Sequence, residues 1–155
     1  MENQRSTTIY LRRNAKTQPK LFPNAGMDDV RLTIQTVTPA ILVAEREATS
    51  RTSLSELLRE EGYRVVEAGD SSAAVNQLTH DSNINVILAD LEMPSWTSII
   101  HHARSQLPES FILGMLRYGA LANGLEAQRL GAQAYLIKPL DFAEVNQWIQ
   151  RYLKG

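Results

Sequence analysis

Three short apolar runs of the sequence end in ionisable side chains. Glu45 follows Ile-Leu-Val-Ala, Asp90 follows Val-Ile-Leu-Ala, and Lys138 follows Tyr-Leu-Ile. If the runs are parallel strands, their carboxyl ends meet at one edge of the sheet, where the reactive groups of α/β folds gather. A carboxylate there can attack phosphorus to form an acyl phosphate, and a lysine ammonium can stabilise the transferred charge. Taken singly, Asp90 is more often a strand-ending acid and Lys138 a surface base.

The elements that must position these residues alternate regularly from residue 41 onward. Short apolar runs predict buried strands at 41–44, 63–68, 86–89, 111–115 and 134–137. Between them lie amphipathic patterns, including Leu54, Leu57 and Leu58 on one helical face with Gly62 ending that helix. Asp70 or Ser71 is the expected cap of one further helix, and Asp141 that of another. The alternation predicts a doubly wound α/β fold, (βα)5, with a five-stranded parallel sheet.

Composition excludes several classes of protein. The 155 residues contain no cysteine, which excludes a disulfide framework, thiolate zinc sites and a cysteine nucleophile. No apolar run approaches the roughly 18–20 residues that span a bilayer, and no signal peptide is recognisable. We therefore expect a cytoplasmic protein without a membrane partner.

Residues 1–40 differ from the remainder in charge. They hold six bases and three acids, a net charge of +3, whereas the whole chain has a net charge of −1. Their polar composition predicts a flexible basic extension, with a short strand over 30–37 as a weaker pattern. A nucleic-acid-binding or targeting arm is the alternative to a solvated tail, and we favour the tail.

Three strings at matching spacing carry a family resemblance. They are ILVAE at 41–45, DLEMP at 90–94 and GAQAYLIKP at 131–139. Together they make residues 41–155 resemble the receiver domain of response regulators in two-component signalling, which has a flavodoxin-like fold. Residues 1–40 lie outside the resemblance.

The resemblance implies roles for individual residues. Asp90 would be the phospho-acceptor, Lys138 the phosphate-binding lysine and Tyr135 the switch aromatic. A magnesium ion would be held by Glu45, Asp90 and the backbone carbonyl of Glu92. The partners would be a histidine kinase or another signalling protein and an output protein.

Two departures from the family pattern oppose this chemistry. Receivers follow the first strand with two adjacent acids, and here the second is Arg46, whose charge would repel Mg²⁺. Receivers place a serine or threonine at the end of the fourth strand, and here the aligned residue is Leu116, which cannot donate to a phosphoryl oxygen. We therefore expect weak or absent Mg²⁺ binding, and one dominant arrangement of Tyr135.

The sequence leaves two functions open. The favoured one is an atypical receiver, or pseudo-receiver, with impaired Mg²⁺-dependent phosphorylation, which acts through protein–protein contacts. The alternative is a competent receiver that accepts phosphate on Asp90 from a histidine kinase. A small enzyme on the same architecture is remote because the sequence shows no other catalytic set, so we expect a signalling module rather than an enzyme and no nucleic-acid partner.

Overall fold

The computed structural model describes residues 38–155. Strands and helices alternate along this part of the chain: β1 (Ala40–Ala44), α1 (Ala48–Glu60), β2 (Arg64–Ala68), α2 (Ser71–His80), β3 (Ile84–Asp90), α3 (Trp96–Gln106), β4 (Phe111–Arg117), a 3-10 turn (Tyr118–Ala120), α4 (Leu121–Leu130), β5 (Ala134–Lys138) and α5 (Phe142–Lys154). The predictions for residues 1–37, a flexible basic extension and a strand over 30–37, lie outside the described residues.

One sheet organises the described residues. Its five strands are all parallel and lie in the order β2-β1-β3-β4-β5. The interior strand β1 is buried along its whole length, as expected for a strand covered by helices on both faces. One hydrophobic cluster lies on each face: Leu42, Ile87 and Leu116 belong to the first, and Val43, Leu88 and Leu113 to the second. The predicted doubly wound (βα)5 fold is confirmed.

Local sequence signals explain where the helices begin and end. The Asp70 carboxylate accepts a hydrogen bond from the Ala73 N–H at the start of α2, and Asp141 caps α5 in the same way. Gly62 and Gly131 follow α1 and α4 with φ of 95° and 121°, a backbone region that favours glycine. The predicted caps and stops therefore hold at these positions.

Two details of the prediction were wrong. Leu57 was expected on the buried face of α1 together with Leu54 and Leu58, but 39% of its surface is exposed. It lines a cavity at the edge of that face, because a helix has only one strip in contact with the sheet. The third and fourth strands also extend further than predicted, to Asp90 and Arg117, so both side chains are anchored by the sheet itself.

Within residues 38–155, none of the helices combines the length and apolar character needed to cross a bilayer.

Candidate functional site

The structure brings Glu45, Asp90 and Lys138 together at the carboxyl edge of the sheet. The Lys138 ammonium donates to Glu45 Oε2 at 2.9 Å and lies 3.6 Å from Asp90 Oδ1. Glu45 follows β1, whereas Asp90 and Lys138 end β3 and β5, so the lysine reaches past the end of β4. The Lys138–Pro139 peptide bond that follows is cis. The Lys138 ammonium is thus bound to Glu45 and also lies close to Asp90.

Both carboxylates are buried and engaged by internal donors. Glu45 and Asp90 each expose only 3% of their surface. The Glu47 N–H donates to Glu45 Oε1 at 3.2 Å, and the Glu92 N–H donates to Asp90 Oδ1 at 3.0 Å. Buried charges are costly unless they are paired and hydrogen-bonded, and these contacts meet that requirement. Each of the two buried carboxylates thus accepts a backbone hydrogen bond from within the domain.

A second ion pair closes the same edge and was missed by the sequence reasoning. Arg117 Nε donates to Glu92 Oε1 at 2.8 Å, while the Arg117 backbone N–H donates to Glu92 Oε2 at 3.0 Å. The Arg117 side chain is 75% exposed and that of Glu92 only 14%. Hydrogen bonding from Arg117 holds the pKa of the Glu92 carboxyl below its usual value. Nothing in the spacing of residues 92 and 117 indicated this pair.

This pair predicts a specific pH response. A lowered pKa in the folded state means that Glu92 stabilises the fold above its unfolded pKa, and that this contribution is lost as the pH falls through the folded pKa. Replacing Arg117 with glutamine should raise the pKa of Glu92 towards the ordinary value of about 4.3. Carbon-detected NMR titration of the Glu92 carboxyl measures the change.

Arg129→Gln is the matched control, because Arg129 lowers the pKa of its own partner, Glu126, on α4. That variant should shift the titration of Glu126 and leave Glu92 unchanged. An unaltered Glu92 titration in Arg117→Gln would show that the ion pair between Arg117 and Glu92, called the Arg117–Glu92 clamp, is not formed in solution.

The switch residues named from the sequence lie against α4. Leu116 is fully buried, and Tyr135 is half-buried beside it. A Cβ atom built on Gly124 would come within 2.9 Å of both Leu116 Cδ2 and the Tyr135 ring. The absence of a side chain at Gly124 therefore lets these two residues pack against the helix. No hydroxyl is present at the end of β4 in this arrangement.

A hydrogen bond ties α4 to the loop that follows Asp90. The Asn123 amide donates from Nδ2 to the Leu91 carbonyl at 2.9 Å. Asn123 was not singled out from the sequence, because its partner is a backbone group 32 residues away. Together with the Arg117–Glu92 clamp, it holds the start of α4 against the loop after β3.

The residues present do not suit the magnesium site that the family implies. Mg²⁺ takes near-octahedral oxygen ligands, and it binds through carboxylates and water. Here the Lys138 ammonium offsets one of the two negative charges of Glu45 and Asp90, while Arg46 stands exposed in the position of the second acid. Within residues 38–155 there is no group of three or more acidic, histidine or cysteine side chains arranged to hold a metal. No step of the function is therefore assigned to a metal.

Comparisons with known proteins agree with this architecture. The family model of the response regulator receiver domain matches residues 41–150. The transcriptional regulatory protein PdtaR of Mycobacterium tuberculosis is 35% identical over 109 residues, which cover 68% of this chain and 52% of PdtaR. The regulatory protein AtoC of Escherichia coli is 31% identical over 116 residues, which cover 74% of this chain and 25% of AtoC. The chain thus spans about half of one relative and a quarter of the other.

Solved structures show the same fold. A CheY-like receiver domain from Methanospirillum hungatei matches with a TM-score of 0.71 at 22% identity. The match covers 76% of this chain and 95% of that domain's chain. The receiver domain of the sensor histidine kinase PA1611 from Pseudomonas aeruginosa, with magnesium in its active-site cleft, matches with a TM-score of 0.69 at 24% identity. That match covers 77% of this chain and 100% of the other. With the family match over residues 41–150, these findings establish that the chain belongs to the response regulator receiver domain family of two-component signalling.

Proposed function

We propose that this receiver domain is a pseudo-receiver, an interaction module whose output does not require phosphate on Asp90. The observation that carries the proposal is the Lys138 ammonium, bound at 2.9 Å to Glu45 and 3.6 Å from Asp90. The Lys138 ammonium contacts one acid and lies close to the other, so its positive charge opposes the binding of a metal cation between them.

The transfer chemistry lacks several of its usual parts. Phosphoryl transfer depends on cations and fixed donors around the equatorial oxygens rather than on covalent chemistry by the protein. Leu116 offers no donor, and Lys138 is committed to Glu45. Asp90 is 3% exposed and accepts the Glu92 N–H, which leaves little access for an incoming phosphoryl group. These features support impaired phosphorylation.

The proposed output surface consists of α4 and β5 and is called the α4–β5 surface. Among the large apolar residues of the described chain, three of the four that are exposed lie on or next to it: Tyr118, Leu125 and Ile137. Receiver domains act through histidine kinases and output proteins, and exposed apolar side chains on neighbouring elements favour a protein contact. This surface supports a partner protein as the recipient of the signal.

One observation supports the alternative, a competent receiver. The chain has both the aspartate and the lysine of the family pattern, and Asp90 and Lys138 lie within 3.6 Å of each other. Incubation with acetyl phosphate and Mg²⁺ followed by intact-mass spectrometry separates the two functions. We expect no gain of a phosphoryl group by the unaltered chain. Phosphorylation to the extent seen in a standard receiver, abolished by Asp90→Asn, would establish the alternative.

The double variant Arg46→Asp, Leu116→Thr serves as the positive comparison, because it supplies the second acid and the hydroxyl together. It should gain a phosphoryl group under conditions in which the parent chain does not. In the native host, Asp90→Asn should retain signalling output, whereas Leu125→Glu on the α4–β5 surface should remove it.

A further inference from the structure

We propose a second ligand site in this domain, a cavity that takes an uncharged, mainly apolar small molecule. The cavity has a volume of about 560 Å³ and lies between α1 and the β5–α5 turn. Its apolar lining includes Leu54 and Leu57 from α1, Met115 from β4, Leu140 from the β5–α5 turn and Phe142 from the start of α5. Small-molecule sites are concave, mostly apolar and typically about 300–1,000 Å³ in volume.

Three of the four charged residues that line the cavity are paired within the protein, and the fourth, Glu47, is exposed to solvent. Lys138 is bound by Glu45 and lies beside Asp90, and Arg117 is clamped by Glu92. Removing a charged ligand group from water is costly unless a free opposite charge receives it. The lining therefore offers a charged ligand no buried, unpaired counter-charge, which favours an uncharged ligand.

Two hydroxyl groups give the apolar cavity some polar character. Ser50 and Ser53 lie on its α1 wall, one helical turn apart. A few well-placed polar groups in an apolar lining fix the orientation of a ligand. The ligand class is accordingly an aromatic or aliphatic body with one neutral hydrogen-bonding group.

The size of the cavity argues for a small molecule rather than a protein. Twelve residues line it, whereas a stable protein interface uses about 20–30 residues on each side. Leu57, 39% exposed on the cavity wall, is apolar surface that a bound molecule would cover. It is also far in sequence from the exposed apolar residues of the α4–β5 surface.

The cavity shares residues with the carboxyl edge of the sheet. Glu45, Arg117 and Lys138 contribute to its lining, and Pro139 and Leu140 lead from there into α5. A bound molecule would contact Glu45 and Lys138, which form the Lys138 bridge between Glu45 and Asp90. Binding would thereby act on the carboxyl edge of the sheet. Its binding does not depend on whether Asp90 accepts phosphate.

The test uses the full chain and N-phenyl-1-naphthylamine, an uncharged dye with one N–H donor that fluoresces in apolar surroundings. Titration with the protein should saturate with a Kd of about 100 µM or tighter. Leu57→Glu should weaken binding at least about tenfold, because it places a carboxylate on the apolar wall. Asn76→Glu, at an exposed position of α2 outside the cavity, should keep Kd within about twofold.

The same titration followed by amide NMR of the unaltered chain should shift Ser53 and Leu140 and leave α4 unshifted. This second readout remains informative if a variant fails to fold. The proposal is overturned by non-saturable binding, by equal losses in the two variants, by an unaffected Leu57→Glu, or by shifts centred on α4. Retained phosphorylation of Asp90 would overturn the pseudo-receiver and leave this site standing.

Discussion

Replacement of Lys138 by methionine is expected to lower the free energy of unfolding by about 3 kcal/mol, the lower end of the range for breaking a buried ion pair. The variant would leave Glu45 and Asp90, each 3% exposed, without the cation that lies close to both. The lower end applies because the Lys138 side chain retains 24% of its exposure, so water already screens part of the interaction. Urea unfolding at neutral pH measures the loss.

Two further variants test whether the charge is responsible. Adding Glu45→Gln to Lys138→Met should restore most of the lost stability, since only one buried carboxylate then remains. Lys154→Met, at the exposed end of α5, should change stability by less than about 0.5 kcal/mol. A Lys138→Met variant as stable as the parent, or no recovery in the double variant, would show that the bridge does not hold the site together.

The scaffold of this site could be predicted from sequence because its signals are local. Apolar runs buried on both faces mark parallel strands, and Asp70, Asp141, Gly62 and Gly131 mark helix ends through their own backbone and side-chain chemistry. Such signals need no knowledge of distant residues. The parallel-strand pattern then placed Asp90 and Lys138 at one edge of the sheet, where the structure has them.

The contacts that define the site could not be predicted in the same way. That Lys138 prefers Glu45 to Asp90 is a difference between 2.9 and 3.6 Å, which depends on side-chain length and strand geometry. The Arg117–Glu92 clamp joins residues 25 positions apart with no local pattern. Long-range pairs of this kind arise from the packed fold rather than from the propensities of short segments.

Gly124 is an intermediate case. A glycine inside a helix costs about 1 kcal/mol relative to alanine, so its presence in α4 signals a packing requirement. The sequence alone does not say what must approach the helix. The structure supplies the answer, because Leu116 and Tyr135 both occupy the space where a Cβ atom would lie.

Replacement of Leu116 by alanine is expected to lower the free energy of unfolding by about 2–5 kcal/mol, as for other fully buried leucines. Leu113→Ala is the matched control, because Leu113 is equally buried on β4 but belongs to the hydrophobic cluster on the other face of the sheet. Both variants should lose similar stability in urea unfolding. Only Leu116→Ala should remove the contact that confines Tyr135 beside Gly124.

The conformation of Tyr135 separates the two variants. In the parent chain and in Leu113→Ala, we expect one set of ring signals by NMR, unchanged by beryllofluoride, a mimic of the phosphoryl group. A ligand shifts an equilibrium only through a difference in its affinity for the two states, and Leu116 gives a phosphoryl group no hydroxyl through which to create one. In Leu116→Ala the ring should gain a second environment. Beryllofluoride-induced shifts that reach Tyr135 and α4 in the parent chain would show a working switch, and the pseudo-receiver proposal would then fail.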